Sequence, residues 1–518
     1  MAYSIQADKD RDQGKPLSYH DYPREPVVVD NLSVKFMKQS RFVPLKLEEN
    51  TLRIAMADPS DFSTVEALKM AYGLAVDVVP GREDDIFEAI ERLYGMGRQS
   101  IETIIEEAGK GVFDITSGTE EDANYLRDLA SEAPIIRLVN RLILNAVEMR
   151  ASDIHFEPFE NEFKVRYRVD GVLHEIESPP TRLQAAIISR AKIMAKLDIA
   201  ERRLPQDGRI KLKVLDKEID FRVSTIPTIY GESLVMRILD RETLILDLEK
   251  IGFPREILPE YLKLISQPYG MILVTGPTGS GKTSTLYTTL NKINSSENKI
   301  ITLEDPVEYQ LRGINQIHVN AKIGLTFANG LRSIVRQDPD IILVGEIRDR
   351  ETAQIAVQSA LTGHLLFSTL HTNDAPGAIT RLLDMEVESF LLSSTLLGVL
   401  AQRLVRVICP RCRKPYEPEE RLIRSMNVSP EELRDVTFYI GEGCDACRNT
   451  GFRGRTAIFE YLPVDDAIRK EIIQSSSTDR IREVAINRGM VTLRQDGWRK
   501  IRQGITTIPE VLRVTLEQ

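Results

Sequence analysis

The sequence predicts an α/β protein of several domains, with a mainly parallel sheet and a phosphate-binding loop at the heart of the largest one. Three observations carry this expectation. Residues Gly276-Pro277-Thr278-Gly279-Ser280-Gly281-Lys282-Thr283-Ser284 fit the G-x-x-x-x-G-K-[ST] pattern. From about Leu244 onward, buried apolar runs alternate with helical stretches, the pattern of strand–helix–strand units. At 518 residues the chain is too long for one core, and predicts roughly three or four domains.

Composition narrows the class. An apolar fraction of 42% with 28% charged residues is that of a globular protein. A net charge of −9 argues against wholesale nucleic-acid binding. The N-terminus runs quickly into charged residues and has no apolar signal region. Phe390 to Ile408 is rich in Leu and Val but contains Gln402, Arg403 and Arg406, so it is expected to be a buried helix rather than a transmembrane one.

Along the chain, residues 1 to about 25 are polar, and Val27 to Gly95 reads as a small α/β unit. Within it, Leu52–Ala57 is a predicted strand, Phe62–Tyr72 a helix, Val76–Val79 an extended segment and Asp84–Tyr94 an amphipathic helix. Ile101 to Glu132 holds nine acids against two bases, the composition of a charged, flexible linker. Ala133–Glu148 is periodic and helical, and Glu162–Val169 alternates like a half-buried strand ending at the hairpin signal Asp170-Gly171. Asp220–Thr225 and Ser233–Leu239 repeat the alternation. The expected boundaries are 1–97 for the first unit, 98–132 for the linker and 133–240 for the second α/β unit. Beyond them come 241–400 for the nucleotide-binding domain, 401–460 for a cysteine-bearing subdomain and 461–518 for a helical C-terminal region.

The phosphate loop has the flanks it needs. Met271–Val274 is a short buried run ahead of it, and Ser284–Leu290 continues as a helix. Glycines let consecutive backbone N–H groups curl around an anion, and the helix N-terminus adds its dipole. Lys282 would reach the β/γ-phosphates of ATP and the Thr283 hydroxyl would hold Mg²⁺. Hydrolysis also needs carboxylates, and acids follow two apolar runs: Glu304 and Asp305 after Ile300–Leu303, and Glu346 after Ile341–Gly345. The second run is the better Walker B candidate, although Gly345 intervenes before the acid. His364 and His371 bracket a third run; seven residues apart on a strand they face opposite sides, which excludes a shared metal and leaves γ-phosphate sensing or a structural role.

All four cysteines lie in two C-x-x-C pairs, Cys409/Cys412 and Cys444/Cys447, so one closed tetrahedral Zn²⁺ site is predicted. Upstream of the loop, Arg202-Arg203 and Arg209, then Arg222 and Arg237, are either solvated or supply charge to phosphoryl transfer from a neighbouring domain or subunit.

Together these residues resemble one family, the secretion ATPases that assemble type II secretion pseudopili and type IV pili. The resemblance runs from about Leu52 to the C-terminus. It rests on the phosphate loop, the acidic box Ile301–Glu308, the segment LRSIVRQDPDIILVGEIRD from Leu331 to Asp349 and the histidine box Thr362–Ala375. Arg203–Arg209, Arg222–Thr225, Gly231-Glu232 and the cysteine pairs add to it. It implies a RecA-like core preceded by a PAS-like α/β domain, working as a homo-hexameric, Mg²⁺-dependent ATPase with a zinc subdomain. Lys282 would bind phosphate, Glu346 would be the Walker B acid and Glu304 the catalytic base. Arg209, Arg222 and Arg237 would act on the nucleotide across domains or subunits. Region 1–97 would dock the cytoplasmic domain of an inner-membrane secretion protein, with a polytopic platform protein as the driven partner and no nucleic acid. Ala151–Glu160 and the short N-terminal region resemble the type II branch more than the pilus-extension branch. A pilus-extension motor, a DNA-translocating motor and a nucleotide-gated scaffold are the other readings.

Overall fold

The computed structural model describes residues 34–48, 50–94, 123–214, 217–240, 247–434 and 436–515, with isolated positions before Val34 and at Ile105. The chain divides into two compact units at Ile238/Leu239, with the tip of one hairpin, 170–172, grouped with the second. Most of the expected linker, and the polar start of the chain, lie outside the described residues. The last part of the linker is not a linker: Ala123–Ser131 is a helix whose Leu126, Leu129 and Ala130 are buried. The periodic apolar positions there outweigh the acidic composition that pointed to a flexible tether.

The first unit holds two sheets. Strands β1 (Phe42–Glu48), β2 (Thr51–Met56) and β3 (Ala75–Pro80) form a three-stranded sheet, β1 antiparallel and β3 parallel to β2. Helices Phe62–Tyr72 and Glu83–Tyr94 accompany it, and Phe42, Leu52, Ile54, Leu68, Ile86 and Ile90 make the core. The parallel β2–β3 pair needs a crossover, which the Phe62–Tyr72 helix supplies. Strands β4 (Ala151–Pro158), β5 (Phe163–Val169), β6 (Val172–Glu177), β7 (Gln206–Val214), β8 (Lys217–Thr228) and β9 (Gly231–Asp240) form a six-stranded sheet in the order β6-β5-β4-β9-β8-β7. Alternate residues such as Ile154, Phe156, Val165, Tyr167 and Phe221 bury one face in a cluster that also takes residues of helices Ala133–Glu148 and Gln184–Ala195. The β5–β6 turn has φ values of 49° at Asp170 and 87° at Gly171, the doubly left-handed geometry that selects an Asp-Gly pair.

The second unit is built on a seven-stranded sheet. Its strands are β10 (Gly270–Thr275), β11 (Ile300–Glu304), β12 (Asn315–His318), β13 (Ile341–Val344), β14 (Leu365–Leu370), β15 (Leu396–Ile408) and, after the separate antiparallel pair β16 (Arg413–Pro415) and β17 (Tyr439–Gly441), β18 (Phe452–Pro463). The order is β12-β11-β13-β14-β10-β15-β18, parallel throughout except for the last pair. Neighbouring residues of β10 point to opposite sides: Met271 and Leu273 join one buried cluster, Ile272 and Val274 the other. A sheet covered on both faces explains why its strands read as continuous apolar runs.

One segment departs from expectation. Phe390–Ile408 is not a single helix: Ser389–Thr395 is a short helix, and Leu396–Ile408 is β15. The run is Leu/Val-rich and compatible with either state, and pairing with β10 on one side and β18 on the other decides for strand. The expected boundaries at 400/401 and 460/461 therefore fall inside two paired strands, and the cysteine-bearing segment projects from the far end of that antiparallel pair. Among the described residues no helix is long and apolar enough to cross a membrane.

Candidate functional site

β10 ends at Thr275, and the helix Lys282–Ile293 begins seven residues later, so the intervening turn stands at the carboxyl edge of the sheet, where ligands of open α/β sheets collect. Gly276, Gly279 and Gly281 have φ values of 147°, 79° and 90°. Both backbone and side chain hem in the first of them: a Cβ on Gly276 would lie 2.5 Å from the Gln402 carbonyl oxygen and 2.6 Å from Ser280 Oγ, whereas one on Gly279 meets nothing within 4 Å. Gly276→Ala should therefore displace the loop and remove ATP binding. Gly279→Ala should cost only the left-handed strain of about 1–2 kcal/mol. Titrating the two variants with nucleotide, alongside their melting curves, checks the ranking.

Gln402 is the scaffold of this loop. It is 1% exposed, its Oε1 accepts from the Thr285 hydroxyl at 2.7 Å, and its amide nitrogen packs on Gly281. Sequence reading did not identify it as a site residue, although its polarity inside the apolar 390–408 run was the available signal. Thr275 clamps the loop's other neighbour: its Oγ1 accepts from Thr372 N at 2.9 Å and lies 2.7 Å from the Thr372 hydroxyl. Lys282 Nζ donates to the carbonyls of Gly276 and Pro277 at 2.7 and 3.1 Å. Thr283, next in the first helical turn, is exposed, as an ion-binding hydroxyl must be. Ser280 Oγ is buried, with no hydrogen-bond partner among the described residues.

The two predicted acids stand at the ends of adjacent strands. Glu304 closes β11 and is buried; its carboxylate accepts from the Tyr287 hydroxyl, the Thr302 hydroxyl and, at 3.3 Å, the Gln316 amide. Tyr287 sits on the helix that follows the phosphate loop, so this contact ties the acidic box to that helix. Glu346, two residues past β13, is partly buried and pairs with Arg348, while its Oε2 is 3.2 Å from His371 Nε2. Burial chiefly, with repulsion from Arg403, lowers the Lys282 pKa to about 8 against the attraction of Glu346. Glu346 is thus the acid that acts electrostatically on the phosphate-loop lysine.

The histidines separate. His371 reaches Glu346 at the carboxyl end of β14. His364 precedes the strand, with its Nδ1 2.8 Å from the Ser359 carbonyl oxygen. The six strand residues between them span about 20 Å, so His364 stands away from the phosphate loop, and the γ-phosphate sensing offered for both histidines is not open to it. The arginines lie in the other unit. Arg209 of β7 stands opposite Arg222 of β8, and Arg237 of β9 donates from Nε to Asp153 at 3.0 Å.

The cysteines meet a metal's geometry. Sγ–Sγ separations are 3.8 Å for Cys409–Cys444 and 3.7 Å for both Cys412–Cys447 and Cys444–Cys447. Four sulphurs about 2.3 Å from a tetrahedral ion stand about 3.8 Å apart. Gly443 N donates to Cys412 Sγ at 3.4 Å and Cys444 N to Cys447 Sγ at 3.2 Å, the backbone donors that thiolates use.

With this geometry in place, the comparisons with known proteins decide the family. The description "Type II/IV secretion system protein" matches residues 128–513, about three quarters of the chain. The chain belongs to that family. Residues 14–100 match an MshEN domain. The Type II secretion system protein E of Xanthomonas campestris is 53% identical over 94% of this chain and 85% of its own length. The type IV pilus assembly ATPase PilB of Myxococcus xanthus is 46% identical over 96% and 88%. The Legionella pneumophila ATPase DotB, at 20% identity and a TM-score of 0.54 over 72% of this chain and 94% of its own, shares the fold. This member of the secretion family is an ATPase of the α/β phosphate-loop class.

Proposed function

We propose that the protein is the ATPase motor of a type II secretion system, a hexamer held at the cytoplasmic side of the inner membrane that drives pseudopilus assembly. The observation that carries the choice of system is the 53% identity to a type II secretion protein E over nearly the whole chain. In the reaction, Lys282 exchanges the loop carbonyls of Gly276 and Pro277 for phosphate oxygens. Glu346, as the Walker B acid, would help position Mg²⁺, with His371 and Arg348 fixing its carboxylate. Glu304 serves as base once released from the Tyr287 hydroxyl. Mg²⁺, held through Thr283, would neutralise charge developing on the phosphates. Cys409, Cys412, Cys444 and Cys447 would hold a structural zinc, a closed site with no position for substrate. Arg209 and Arg222 place like charges side by side on neighbouring strands, an arrangement that favours an anionic partner and supports a role on nucleotide from a neighbouring domain or subunit.

Region 1–97 is assigned to docking the cytoplasmic domain of a membrane-anchored secretion protein, and a polytopic platform protein is the driven partner. A chain lacking residues 1–97 should lose membrane recruitment; unchanged recruitment contradicts that assignment. The system itself is tested by deleting the gene. Loss of extracellular enzymes with pili intact, restored by the wild-type chain but not by Lys282→Ala, is expected. Loss of pili instead establishes the pilus-extension reading, which the 46% identity to PilB keeps in play.

The lowered Lys282 pKa gives a pH signature. The lysine is charged below about 8 and neutral above it, and only the charged form meets phosphate. kcat/KM for MgATP should therefore fall as pH rises through about 8. In Lys282→Arg, whose guanidinium stays charged, that limb should be missing.

A further inference from the structure

Beside the phosphate loop, β15 carries a second cation. β10 and β15 run parallel with Thr275 opposite Ala401, so Gln402 and Arg403 continue alongside Gly276 and Pro277. Arg403 and Pro277 line one cavity of about 650 Å³, together with Asn373, Asp374, Glu460 and Arg482 among others. Two of the three guanidinium nitrogens of Arg403 are used inside the fold. Nε donates to the Val514 carbonyl at 3.2 Å, and Nη2 donates to the backbone and side-chain oxygens of Asn373 at 3.2 and 3.1 Å. Nη1 is buried and has no hydrogen-bond partner among the described residues.

The electrostatics agree with that geometry. Burial lowers the proton affinity of Arg403 against the attraction of Asp374 and Glu460, and the Arg403 charge lowers that of Lys282 in turn. A buried cationic donor without a partner, repelling the lysine of an anion-binding loop, is unfavourable on its own and is favoured by an anion between the two. The direction of the contact follows from the tether. Asn373 lies two residues past His371, whose ring meets Glu346, so the tether joins Arg403 to the segment that reaches Glu346, and both charges act on Lys282.

We infer that Arg403, through Nη1, contacts the terminal phosphate of bound ATP from within the same chain, and so distinguishes ATP from ADP. The inference rests on the ATPase reading. The tether also carries the signal outward: an arginine drawn to the phosphate pulls on the Asn373 turn and on Val514 of the C-terminal helix Ile508–Thr515.

The test compares Arg403→Ala and Arg403→Lys with wild type in the full-length protein, measuring binding of ADP and of the non-hydrolysable analogue AMP-PNP. A charge-assisted contact to the terminal phosphate predicts that Arg403→Ala weakens AMP-PNP roughly tenfold or more while ADP affinity stays at the wild-type value. Lysine keeps the charge but loses the fork that reaches three acceptors, so it should restore only part of the ratio. An AMP-PNP to ADP ratio unchanged from wild type in Arg403→Ala overturns the inference, whatever happens to the melting temperature. Should the alanine variant fail to fold, the ratio in Arg403→Lys decides in the same way. A wild-type chain that binds neither nucleotide sinks the ATPase reading instead, a separate outcome.

Discussion

Glu346→Gln should lower steady-state ATP turnover by about a hundredfold or more while the protein still binds ATP, because one preorganised polar group acting on the reacting phosphate is worth that much. The substitution keeps the size of the side chain and removes the charge that faces Lys282, Arg348 and His371. Glu304→Gln tests the second acid. As the general base it should reduce turnover by about a hundredfold, the scale of positioned proton transfer. Its hydrogen bonds to Tyr287, Thr302 and Gln316 make it also a structural link, so melting curves must accompany the rate. Turnover equal to wild type in both variants would instead remove the two acids from the reaction.

Removing the proposed zinc should be the largest change in stability. Metal binding contributes about 10–16 kcal/mol to isolated zinc fingers, and part of that must be lost here when Cys412 and Cys447 are both replaced by Ser. The effect should reach the ATPase site. Cys409 N donates to the Gly451 carbonyl and Ile408 N to the Ile505 carbonyl, so the metal segment closes the far end of β15, six residues beyond Gln402. Elemental analysis of the wild-type protein should give about one zinc per chain from one closed four-thiolate site. In the double variant, proteolysis between residues 409 and 451 should accelerate and turnover should fall. A metal-free wild-type protein with this segment intact would remove the zinc assignment.

How much of this was legible in the sequence depended on the range of the interaction. The Phe62–Tyr72 helix and the Ala133–Glu148 helix follow from local periodicity, and both have those bounds in the structure. The phosphate loop and its flanking strand and helix are likewise a local pattern. The run from Leu396 to Ile408 was not legible, because Leu- and Val-rich sequence fits a buried helix or a central strand, and only its partners β10 and β18 decide. Site residues failed for the same reason. Gln402 meets Thr285 across 117 residues of sequence, and Tyr287 meets Glu304 across 17. Both contacts exist only because the sheet order places β15 beside β10 and the phosphate-loop helix against the acidic box. The histidines show the converse: seven residues apart, they are close in sequence and far apart in the fold, because a strand lies between them.

The site's own chain supplies Lys282, Glu346, Glu304 and Arg403, while the paired arginines stand on a different unit. We propose that the motor is complete only as an assembly. The most direct test is ATPase rate per chain against protein concentration, with mass measured at each point and with Arg209→Ala, Arg222→Ala and Arg237→Ala run alongside. The rate per chain should rise with concentration and level off as the hexamer forms, and the arginine variants should assemble without recovering it. A rate per chain independent of concentration, in protein shown to be monomeric, would contradict the claim.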